Sequence, residues 1–552
     1  MEKRETIITL IQDSIQKNWE FPALSDLHGV SFQYRDVARK IAKLHLLFEH
    51  AGLQQGDKIA FCGRNCSHWS TAFLAALTYG AVAVPILHEF KPDNIHNLVT
   101  HSDAKLFFVD SSIWENLEPD AMPDLKGALN IADYSVILSR SKRLTEARNN
   151  LNRLFGERYP ERFLPTDAIY RQPADVNDIA VINYTSGSTG FSKGVVLSYD
   201  SLWSNVRFAL DNITYIKPGD GSICMLPLAH MFGLTFEMLH MLSQGAHIYF
   251  LTRTPSPRII MDAFATVRPK LIITVPLIIE KIIKSRVFPL LEKPLMKVLL
   301  HIPGVDERLL GKIRDKLTST FGDNLHEIII GGAALNKDVE TFLRRIKFPF
   351  TVGYGMTECG PLISYAPWDQ QRPGSCGRIV DRMEARIEST DPENIPGTLW
   401  VRGTNVMKGY YKNDEATEST FSDGWMSTGD ICQMDADGFV YIRGRSKTMI
   451  LGPSGQNIYP EEIEHVVNNI QYVNESLVVE RNGSLIALIY PDYETAFKDG
   501  LSNSALEDLM RQNIKQINAD LPAYSQISNV KLMQEEFEKT PKRSIKRYLY
   551  QH

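Results

Sequence analysis

Short apolar runs alternate with amphipathic, helix-like stretches along the first part of the chain. Between Phe32 and Asp110 the order is a helix (YRDVARKIAKLHLLFEHAG), a strand (KIAFCG), a helix, a strand (AVAVPI), a helix and a strand (KLFFVD). The alternation returns later, where the short apolar runs are SICMLPL, AHIYFL, KLIITVP and HEIIIGG. Such alternation predicts βαβ units, and therefore an α/β fold whose mostly parallel sheets are covered by helices.

The pattern changes twice towards the C-terminus. After about Asp381 it consists of short strands and turns, with ARIEST, GTLWVRG and FVYIRGR as the strands. From about Ser446 a smaller unit mixes strands and helices, as in EEIEHVVNNI, ESLVVERNG, SLIALIYP and SALEDLMRQNIKQI. The hydrophilic RGRSKT at Arg443–Thr448 is the natural boundary between the two. We therefore expect a large N-terminal domain (1–444) and a small α+β C-terminal domain (445–552).

Length, charge and cysteine usage narrow the class of protein. A chain of 552 residues exceeds the usual size of one domain, and a net charge of −5 argues against a general nucleic-acid binder. The six cysteines lack C-x-x-C spacing, which predicts reduced thiols in a cytoplasmic protein, not a zinc site or a disulfide framework. The N-terminus also lacks the apolar core of a signal peptide.

One stretch is long and uncharged enough to suggest a membrane span. Ser67–Leu87 contains no Asp, Glu, Lys or Arg. Gly80 and Pro85 interrupt it, however, and AVAVPIL is typical of a buried strand that follows a helix. We therefore predict no transmembrane segment, and membrane association that is peripheral at most.

The strongest chemical signal is the segment YTSGSTGFSKG at Tyr184–Gly194, here called the glycine loop, which is followed at once by VVLSY. Its glycines let the backbone bring bare N–H groups close to a ligand, while its hydroxyls and Lys193 suit phosphate oxygens. A Walker A loop is excluded because Ser192 precedes the lysine, Gly194 follows it, and a β-branched run stands where a P-loop would open a helix. Apolar segments flank the loop, so a strand–loop–strand that binds a polyphosphate is favoured over a flexible surface loop.

Seven further motifs follow in order and resemble the signatures of the adenylate-forming superfamily, which comprises acyl-CoA synthetases, luciferases and the adenylation domains of peptide synthetases. They are LPLAHMFG (Leu226–Gly233), GGAAL (Gly331–Leu335), YGMTE (Tyr354–Glu358), GSCGR (Gly374–Arg378), STGD (Ser427–Asp430), GRSKTMI (Gly444–Ile450) and NIYPEEIE (Asn457–Glu464). The resemblance runs from SFQYRDVARKI to the C-terminus, and LPLAHMF in particular is similar to long-chain acyl-CoA synthetases. It implies that a distorted β-barrel subdomain completes the N-terminal domain, and that the C-terminal domain is a mobile lid with its hinge near Lys447.

The resemblance also implies a role for each motif. Tyr354 would stack on adenine, Thr357 would touch the α-phosphate, and Glu358 would hold Mg²⁺, an ion that prefers hard oxygen ligands. Asp430 would accept hydrogen bonds from both ribose hydroxyls, and Arg445 would bind ribose or phosphate. The resemblance implies that the catalytic residues are Thr185, Lys193, His230, Thr357 and Glu358. It also implies that the residues that bind the nucleotide or coenzyme A are Ser186, Gly187, Ser188, Thr189, Gly190, Gly332, Ala333, Ala334, Tyr354, Gly355, Asp430, Arg445, Lys447 and Gly455.

Several apolar positions keep an ordinary structural interpretation beside the functional one. By resemblance His230 lies at the mouth of the acyl pocket, but a lone histidine among apolar residues is commonly a core residue. Met231, Phe232 and the stretch ITVPLIIEKI could line an apolar tunnel, although such residues are more often plain core. Near the hinge, the resemblance places Gly452, Gly455 and Asn457 along the path of the pantetheine arm.

The C-terminal motif departs from the superfamily pattern. Its members usually end in a motif like P-K-T-x-x-G-K-I-x-R, whose second lysine enters the site for adenylation. This chain has FEKTPKRSIKR (Phe537–Arg547), which places Ser544 at that lysine. A serine cannot supply a positive charge. Either Lys542, Arg543 or Lys546 reaches the site through a local change of register, or the adenylation half-reaction is impaired, or the serine is an engineered substitution.

We therefore expect an AMP-forming acid:CoA ligase that uses ATP, Mg²⁺ and coenzyme A to activate a fatty acid, of medium to long chain. Attack of the carboxylate on the α-phosphorus of ATP would give an acyl-adenylate and pyrophosphate, and the thiol would then displace AMP. One alternative is an adenylating ligase for another acid or for a carrier-protein acceptor. Another, suggested by Ser544, is a weakly active protein that binds an acyl-adenylate.

Overall fold

The computed structural model describes residues 4–186, 192–253, 257–451, 457–481, 483–522, 525–540 and 544–551. Its largest sheet has eight strands. In spatial order these are Gly409–Tyr410, Ser192–Ser198, Ile179–Ser186, Val82–Ile86, Lys58–Cys62, Ala104–Val109, Gly127–Asn130 and Val136–Ser139. The five strands from Ile179–Ser186 to Gly127–Asn130 run parallel, and the outer strands are antiparallel to their neighbours.

Both faces of the large sheet are covered, because alternate residues of its strands enter different apolar clusters. In Lys58–Cys62, Ile59 and Phe61 belong to one cluster, whereas Ala60 and Cys62 belong to another. Burial on both faces explains why parallel strands are near-continuous apolar runs in the sequence. The helices of this part are Ile7–Lys17, Tyr34–His50, Ser67–Tyr79, Pro92–His101, Ser111–Trp114, Lys142–Asn149, Leu151–Arg158 and Tyr199–Asn212.

The uncharged stretch Ser67–Leu87 folds as predicted into a helix and a strand. The helix Ser67–Tyr79 ends at Gly80, which adopts a left-handed conformation with φ of 90°, and the strand Val82–Ile86 follows. All five residues of that strand are buried. In the part of the chain that the structure describes, no helix has the length and apolarity needed to cross a membrane.

Two smaller sheets continue the α/β pattern. One has the strands Gly221–Cys224, His247–Phe250, Pro22–Asp26 and Ser31–Gln33, and the other the parallel strands Leu271–Thr274, Glu327–Ile330 and Phe350–Val352. Each run predicted from the sequence is a strand, although a few residues shorter than the apolar run. The associated α-helices are Met241–Ser243, Pro257–Val267, Pro276–Ile282, Phe288–Leu291, Pro294–Leu299, Val305–Thr320 and Lys337–Arg345, and Gly233–His240 and Ile283–Val287 are π-helical.

Antiparallel strands form the barrel-like part that the resemblance implied. A three-stranded sheet contains Tyr354–Gly355, Leu362–Tyr365 and Arg378–Ile379. A five-stranded sheet contains Met383–Glu388, Gly397–Gly403, Trp425–Met434, Phe421–Ser422 and Val440–Arg445, and the short helix Asp414–Glu418 lies between two of its strands in sequence.

The last hundred residues form a small α+β unit with its own apolar core. Its mixed three-stranded sheet contains Val473–Arg481, Ser484–Pro491 and Ile527–Leu532. The remaining elements are the helices Pro460–Val467, Tyr493–Lys498 and Asn503–Asp520 and the short strands Ile450–Leu451 and Asn457–Ile458. This unit contacts the larger part through hydrogen bonds. The Lys337 backbone N–H donates to His465 Nε2 at 3.0 Å, and the Lys284 ammonium donates to the Asn468 carbonyl at 3.4 Å.

Candidate active site

The glycine loop joins two antiparallel strands, which confirms the strand–loop–strand prediction. Thr185 pairs with Lys193 across the hairpin, and Ser186 pairs with Ser192. The Thr185 hydroxyl lies 3.4 Å from the Lys193 carbonyl oxygen, to which it donates. The chain continues past Lys193 as a strand to Ser198, so no helix opens here as it does after a Walker A loop. Gly187, Ser188, Thr189 and Gly190 lie outside the described residues, as does the side chain of Ser186.

Tyr410 connects two of the predicted catalytic residues. The strand Gly409–Tyr410 pairs with Ser192–Ser198, which places Tyr410 opposite Val195. The Tyr410 hydroxyl donates to Glu358 Oε1 at 2.9 Å, and Lys193 Nζ lies 4.8 Å from the centroid of the Tyr410 ring. An ammonium over a tyrosine face is held by the ring quadrupole. One tyrosine therefore holds both the cation and the carboxylate beside the glycine loop.

The carboxylate itself lies on a tight turn. Thr357–Cys359 form a single 3₁₀ turn, and the Met407 backbone N–H donates to the Glu358 carbonyl at 2.7 Å. Thr357 and Glu358 are half-buried, so their side chains are reachable by a ligand. Burial and the neighbouring Glu358 raise the pKa of Tyr410, which therefore remains a hydrogen-bond donor at neutral pH.

A second cluster contains three predicted nucleotide-binding residues. Asp430 lies directly opposite Arg445 in the antiparallel pair of strands, and Arg445 Nε is 3.0 Å from Asp430 Oδ1. The Tyr354 hydroxyl donates to Asp430 Oδ2 at 2.5 Å. Burial raises the pKa of Asp430, and the Arg445 charge and the Tyr354 hydrogen bond oppose that rise. The buried carboxylate is thus oriented by a phenol on one oxygen and a guanidinium on the other.

The GGAAL motif is an open loop at the end of the strand Glu327–Ile330. Gly332, Ala333 and Ala334 are exposed, and Gly332 has a φ of 84°, a left-handed conformation that favours glycine. At Gly331 a Cβ atom would lie 3.1 Å from the Phe232 ring, so this motif packs directly against LPLAHMFG. Gly355 has a packing reason of its own, since a Cβ there would lie 2.1 Å from the Pro361 carbonyl oxygen.

The segment that carries His230 is held by buried and half-buried polar side chains that the sequence patterns did not single out. Asn65 accepts from the Leu228 N–H at 2.9 Å and donates to the Leu226 carbonyl at 2.6 Å. Asn183 donates to the Ala229 carbonyl at 2.8 Å. The Glu237 carboxyl accepts from the Leu226 N–H at 2.9 Å. His230 is half-buried at the end of this braced segment, whereas Met231 is buried in the main core and Phe232 is half-buried.

Glu237 makes the stability of this segment depend on pH. Burial raises the pKa of Glu237 to about 8 from an ordinary value of 4.5. The folded protein therefore keeps this proton where the unfolded chain has lost it, so the contribution of Glu237 to the free energy of unfolding falls as pH rises from about 4.5 to about 8. Between pH 6 and pH 8 the fall amounts to about 2–3 kcal/mol at one proton per molecule.

We expect the denaturant midpoint to change less between these pH values in the variant Glu237→Gln than in the wild type, because glutamine still accepts a backbone N–H but does not ionise. Other buried carboxyls, such as Glu327 and Glu464 with pKa values raised to about 7, still titrate in both proteins. Urea unfolding of the wild type and the variant at several pH values measures this. The exposed Glu384, which pairs with Arg402 at 2.6 Å, provides the control. In Glu384→Gln the denaturant midpoint should change with pH as it does in the wild type. If the midpoint of Glu237→Gln changed with pH as much as that of the wild type, the raised pKa of Glu237 would be contradicted.

The predicted hinge lies in a turn between the two units. Residues 446–448 form the turn, Lys447 is exposed, and the Thr448 hydroxyl donates to Glu461 Oε1 at 2.5 Å. Gly452 and Gly455 lie outside the described residues, together with the side chain of Asn457. Rotation about Lys447 therefore stays a prediction.

The basic C-terminal residues are largely occupied by acidic partners of the small unit. Lys539 lies 2.6 Å from Glu475, Lys546 lies 3.1 Å from Glu538, and Arg547 pairs with Glu464. Ser544 is exposed, and its carbonyl accepts from the Thr540 N–H at 2.8 Å. Lys542 and Arg543 lie outside the described residues. Of the cations considered as substitutes for the missing lysine, Lys546 is thus already paired.

A divalent ion fits the cluster around Glu358 only with help from a ligand. Among residues that the structure describes, no three His, Cys, Asp or Glu side chains come close enough to hold a metal ion. Mg²⁺ commonly takes one or two carboxylates and completes its shell with water and substrate phosphate oxygens. Glu358, with Oε1 engaged by Tyr410, offers one such carboxylate.

Comparisons with known proteins cover nearly the whole chain. A family model described as AMP-binding enzyme matches residues 11–411, and one described as AMP-binding enzyme C-terminal domain matches residues 447–551. A long-chain-fatty-acid–CoA ligase of Yersinia pestis is 28% identical over 505 residues, covering 87% of this chain and 83% of the relative. The 4-coumarate–CoA ligase 2 of Oryza sativa subsp. japonica is 28% identical over 521 residues, covering 89% and 82%. The ATP-bound crystal structure of MatB from Rhodopseudomonas palustris aligns with a TM-score of 0.74 at 23% identity over 98% of both chains, which shows a common fold.

Proposed function

The chain belongs to the AMP-binding enzyme family, and on that premise we propose that it is an AMP-forming acid:CoA ligase that activates a fatty acid. The observation that carries the proposal is the cluster beside the glycine loop, where Tyr410 brings together Lys193 and Glu358. A cation and a carboxylate at a loop rich in glycine and hydroxyl groups suit a nucleoside triphosphate and its magnesium ion.

In the first step the substrate carboxylate attacks the α-phosphorus of ATP, and the bond from that phosphorus to the bridging oxygen of pyrophosphate breaks. Negative charge spreads over the phosphoryl oxygens, so the site contributes chiefly by placing cations and hydrogen-bond donors. Lys193 supplies the fixed cation, and the Thr185 and Thr357 hydroxyls supply donors. Glu358 would hold Mg²⁺, which adds positive charge at the phosphates when bound.

The nucleoside would be held by the second cluster. Asp430 is fixed by Tyr354 and Arg445, so its remaining lone pairs face a constant direction and suit two ribose hydroxyls. The open loop Gly332–Ala334 and Gly355 would provide a flat surface for the purine. The ring of Tyr354, which is buried, would form one wall of that surface.

In the second step the thiol of coenzyme A attacks the acyl carbon and AMP leaves. We propose that the small unit, residues 445–552, rotates about Lys447 between the two steps, because a few loop residues can absorb such a change. Gly455 and its neighbours would then border the path of the pantetheine arm, and His230 would lie at the mouth of the acyl pocket.

The choice of a fatty acid rests on the LPLAHMF motif and on the Yersinia pestis relative. The rice relative is named for 4-coumarate, so another acid is the second candidate. We place the protein in the cytoplasm, since its six cysteines are free and lack disulfide spacing.

The test is a panel of C2 to C18 fatty acids and aromatic acids incubated with the protein, ATP and Mg²⁺, then with coenzyme A. We expect pyrophosphate release that is strongest with fatty acids, followed by formation of the CoA thioester. Release that is strongest with an aromatic acid would replace the proposed substrate, and release without a thioester would indicate a different acceptor. No release with any acid would sink the ligase proposal.

A further inference from the structure

The segment Phe288–Val305 presents apolar side chains to solvent. Leu295, Val298 and Ile302 are 70%, 62% and 43% exposed, and Leu290 and Val305 are also exposed. These five side chains are here called the apolar patch. Of the 18 large apolar side chains that are exposed in the described part of the chain, they make up five within a short segment. Single exposed apolar residues are ordinary, whereas a concentration of them marks an interaction surface.

The inner face of the same segment is apolar as well. Phe288, Leu291, Met296 and Leu300 are half-buried and pack against the core around the parallel sheet Leu271–Thr274, Glu327–Ile330 and Phe350–Val352. A surface helix normally places polar residues opposite its core face. The helix Pro294–Leu299 instead has apolar residues on both faces and no buried residue. Its outward apolar side chains, Leu295 and Val298, therefore bury little of their surface in the part of the chain that the structure describes.

The sequence around the patch is basic in an otherwise acidic protein. Residues 276–316 contain nine Lys or Arg against five Asp or Glu, whereas the whole chain carries a net charge of −5. One of these acids, Glu280, accepts the Asn336 backbone N–H at 2.8 Å and is half-buried. Lys293 and Lys297 are exposed between the apolar side chains. Lysines so placed lay their methylene stems on apolar surface and extend their ammonium groups outward.

We propose that the apolar patch docks on the surface of a lipid bilayer that contains anionic headgroups. Apolar side chains interleaved with lysines are the chemistry of helices that lie in the bilayer interface, where burial of the apolar face and attraction to anionic lipid act together. Docking itself does not depend on the proposed function. Only its purpose, access to fatty acids dissolved in the bilayer, rests on that function.

The test measures sedimentation of the full-length protein with vesicles of phosphatidylcholine that contain or lack about 30% phosphatidylglycerol. We expect binding to the anionic vesicles and a loss of at least about tenfold in affinity in the double variant Leu295→Glu, Val298→Glu. The double variant Lys293→Gln, Lys297→Gln is expected to lose about tenfold on anionic vesicles and little on neutral ones. The matched control is Ile169→Glu, Ile395→Glu, which removes two side chains that are 71% and 51% exposed elsewhere and adds the same charge.

Three results would overturn the proposal. The first is wild-type protein that binds neither kind of vesicle. The second is an equal loss of vesicle affinity in the patch and control variants. The third is a wild-type dimer that Leu295→Glu, Val298→Glu converts to a monomer without changing vesicle binding. Light scattering measures the last, and circular dichroism verifies that each variant is folded. Acid-dependent pyrophosphate release is measured without vesicles, so failure of the ligase proposal is seen separately from failure of docking.

Discussion

Replacing Ser544 with lysine is expected to raise the rate of acid-dependent pyrophosphate release about a hundredfold, the usual effect of one well-placed charge on a phosphoryl-transfer transition state. Ser544 is exposed and directly precedes Ile545, which forms a β-bridge with Lys539, so a longer side chain fits without repacking. The other described cations of this tail, Lys539, Lys546 and Arg547, already pair with carboxylates of the small unit. A new lysine at 544 is expected to reach the nucleotide when the small unit has rotated as proposed.

The matched control is Ser544→Met, which adds a side chain of similar length without charge and should leave the rate unchanged. Thioester formation from a supplied acyl-adenylate should be the same in all three proteins, because the lysine is expected to act in the first half-reaction. The variants Lys542→Ala and Arg543→Ala test whether one of these neighbouring cations reaches the site through a local change of register. No gain in Ser544→Lys together with a large loss in either alanine variant would show that a neighbouring cation fills the role and that the alignment at Ser544 is wrong.

Glu358→Gln is expected to lower pyrophosphate release about a hundred- to a thousandfold, because it removes the carboxylate proposed to hold Mg²⁺ while keeping an oxygen that accepts the Tyr410 hydroxyl. The concentration of Mg²⁺ that gives half-maximal rate should rise with it. Titration of the rate with Mg²⁺ at fixed ATP measures both effects. Glu384→Gln, on an exposed ion pair with Arg402, serves as the control.

Two substitutions of Tyr410 separate its two contacts in the same assay. Tyr410→Phe removes the hydrogen bond to Glu358 and keeps the ring beneath Lys193, and a loss of about tenfold in rate is expected. Tyr410→Leu removes both contacts and should lose more, with a weaker affinity for ATP as well. If Glu358→Gln kept full activity while Tyr410→Leu lost it, the magnesium role would be wrong and Lys193 would carry the site.

Local pattern was enough to predict most of the fold. The strands of the large sheet are apolar because both of their faces are buried, so runs such as AVAVPI at 81–86 stand out in the sequence. The hairpin around the glycine loop was predictable because apolar segments flank it closely. The packing of Gly331 against Phe232 was not, since the two motifs are separated by some hundred residues and nothing in their spacing shows their contact.

The residues that sequence reasoning missed act across long separations. Tyr410 lies 52 residues from Glu358, and Asn65 lies 163 residues from Leu228. Periodicity shows which element a residue belongs to, but the partner of a polar side chain depends on how distant elements pair. GYYKN at 409–413 has no composition that distinguishes it from a turn. Buried asparagines such as Asn183 give a better signal, because a buried amide requires hydrogen-bond partners.

The two-residue strand Gly409–Tyr410 also sets the direction in which the Tyr410 side chain points. Successive side chains of a strand point to opposite faces, so a slip of one residue in its pairing with Val195 and Val196 would turn Tyr410 away from Glu358 and Lys193 together. The length of the connection between Gly403 and Gly409 therefore helps to set this register. An insertion or deletion in this short connection that shifted the pairing would separate Tyr410 from Glu358 and Lys193, although every residue of the proposed phosphate site remained in the chain.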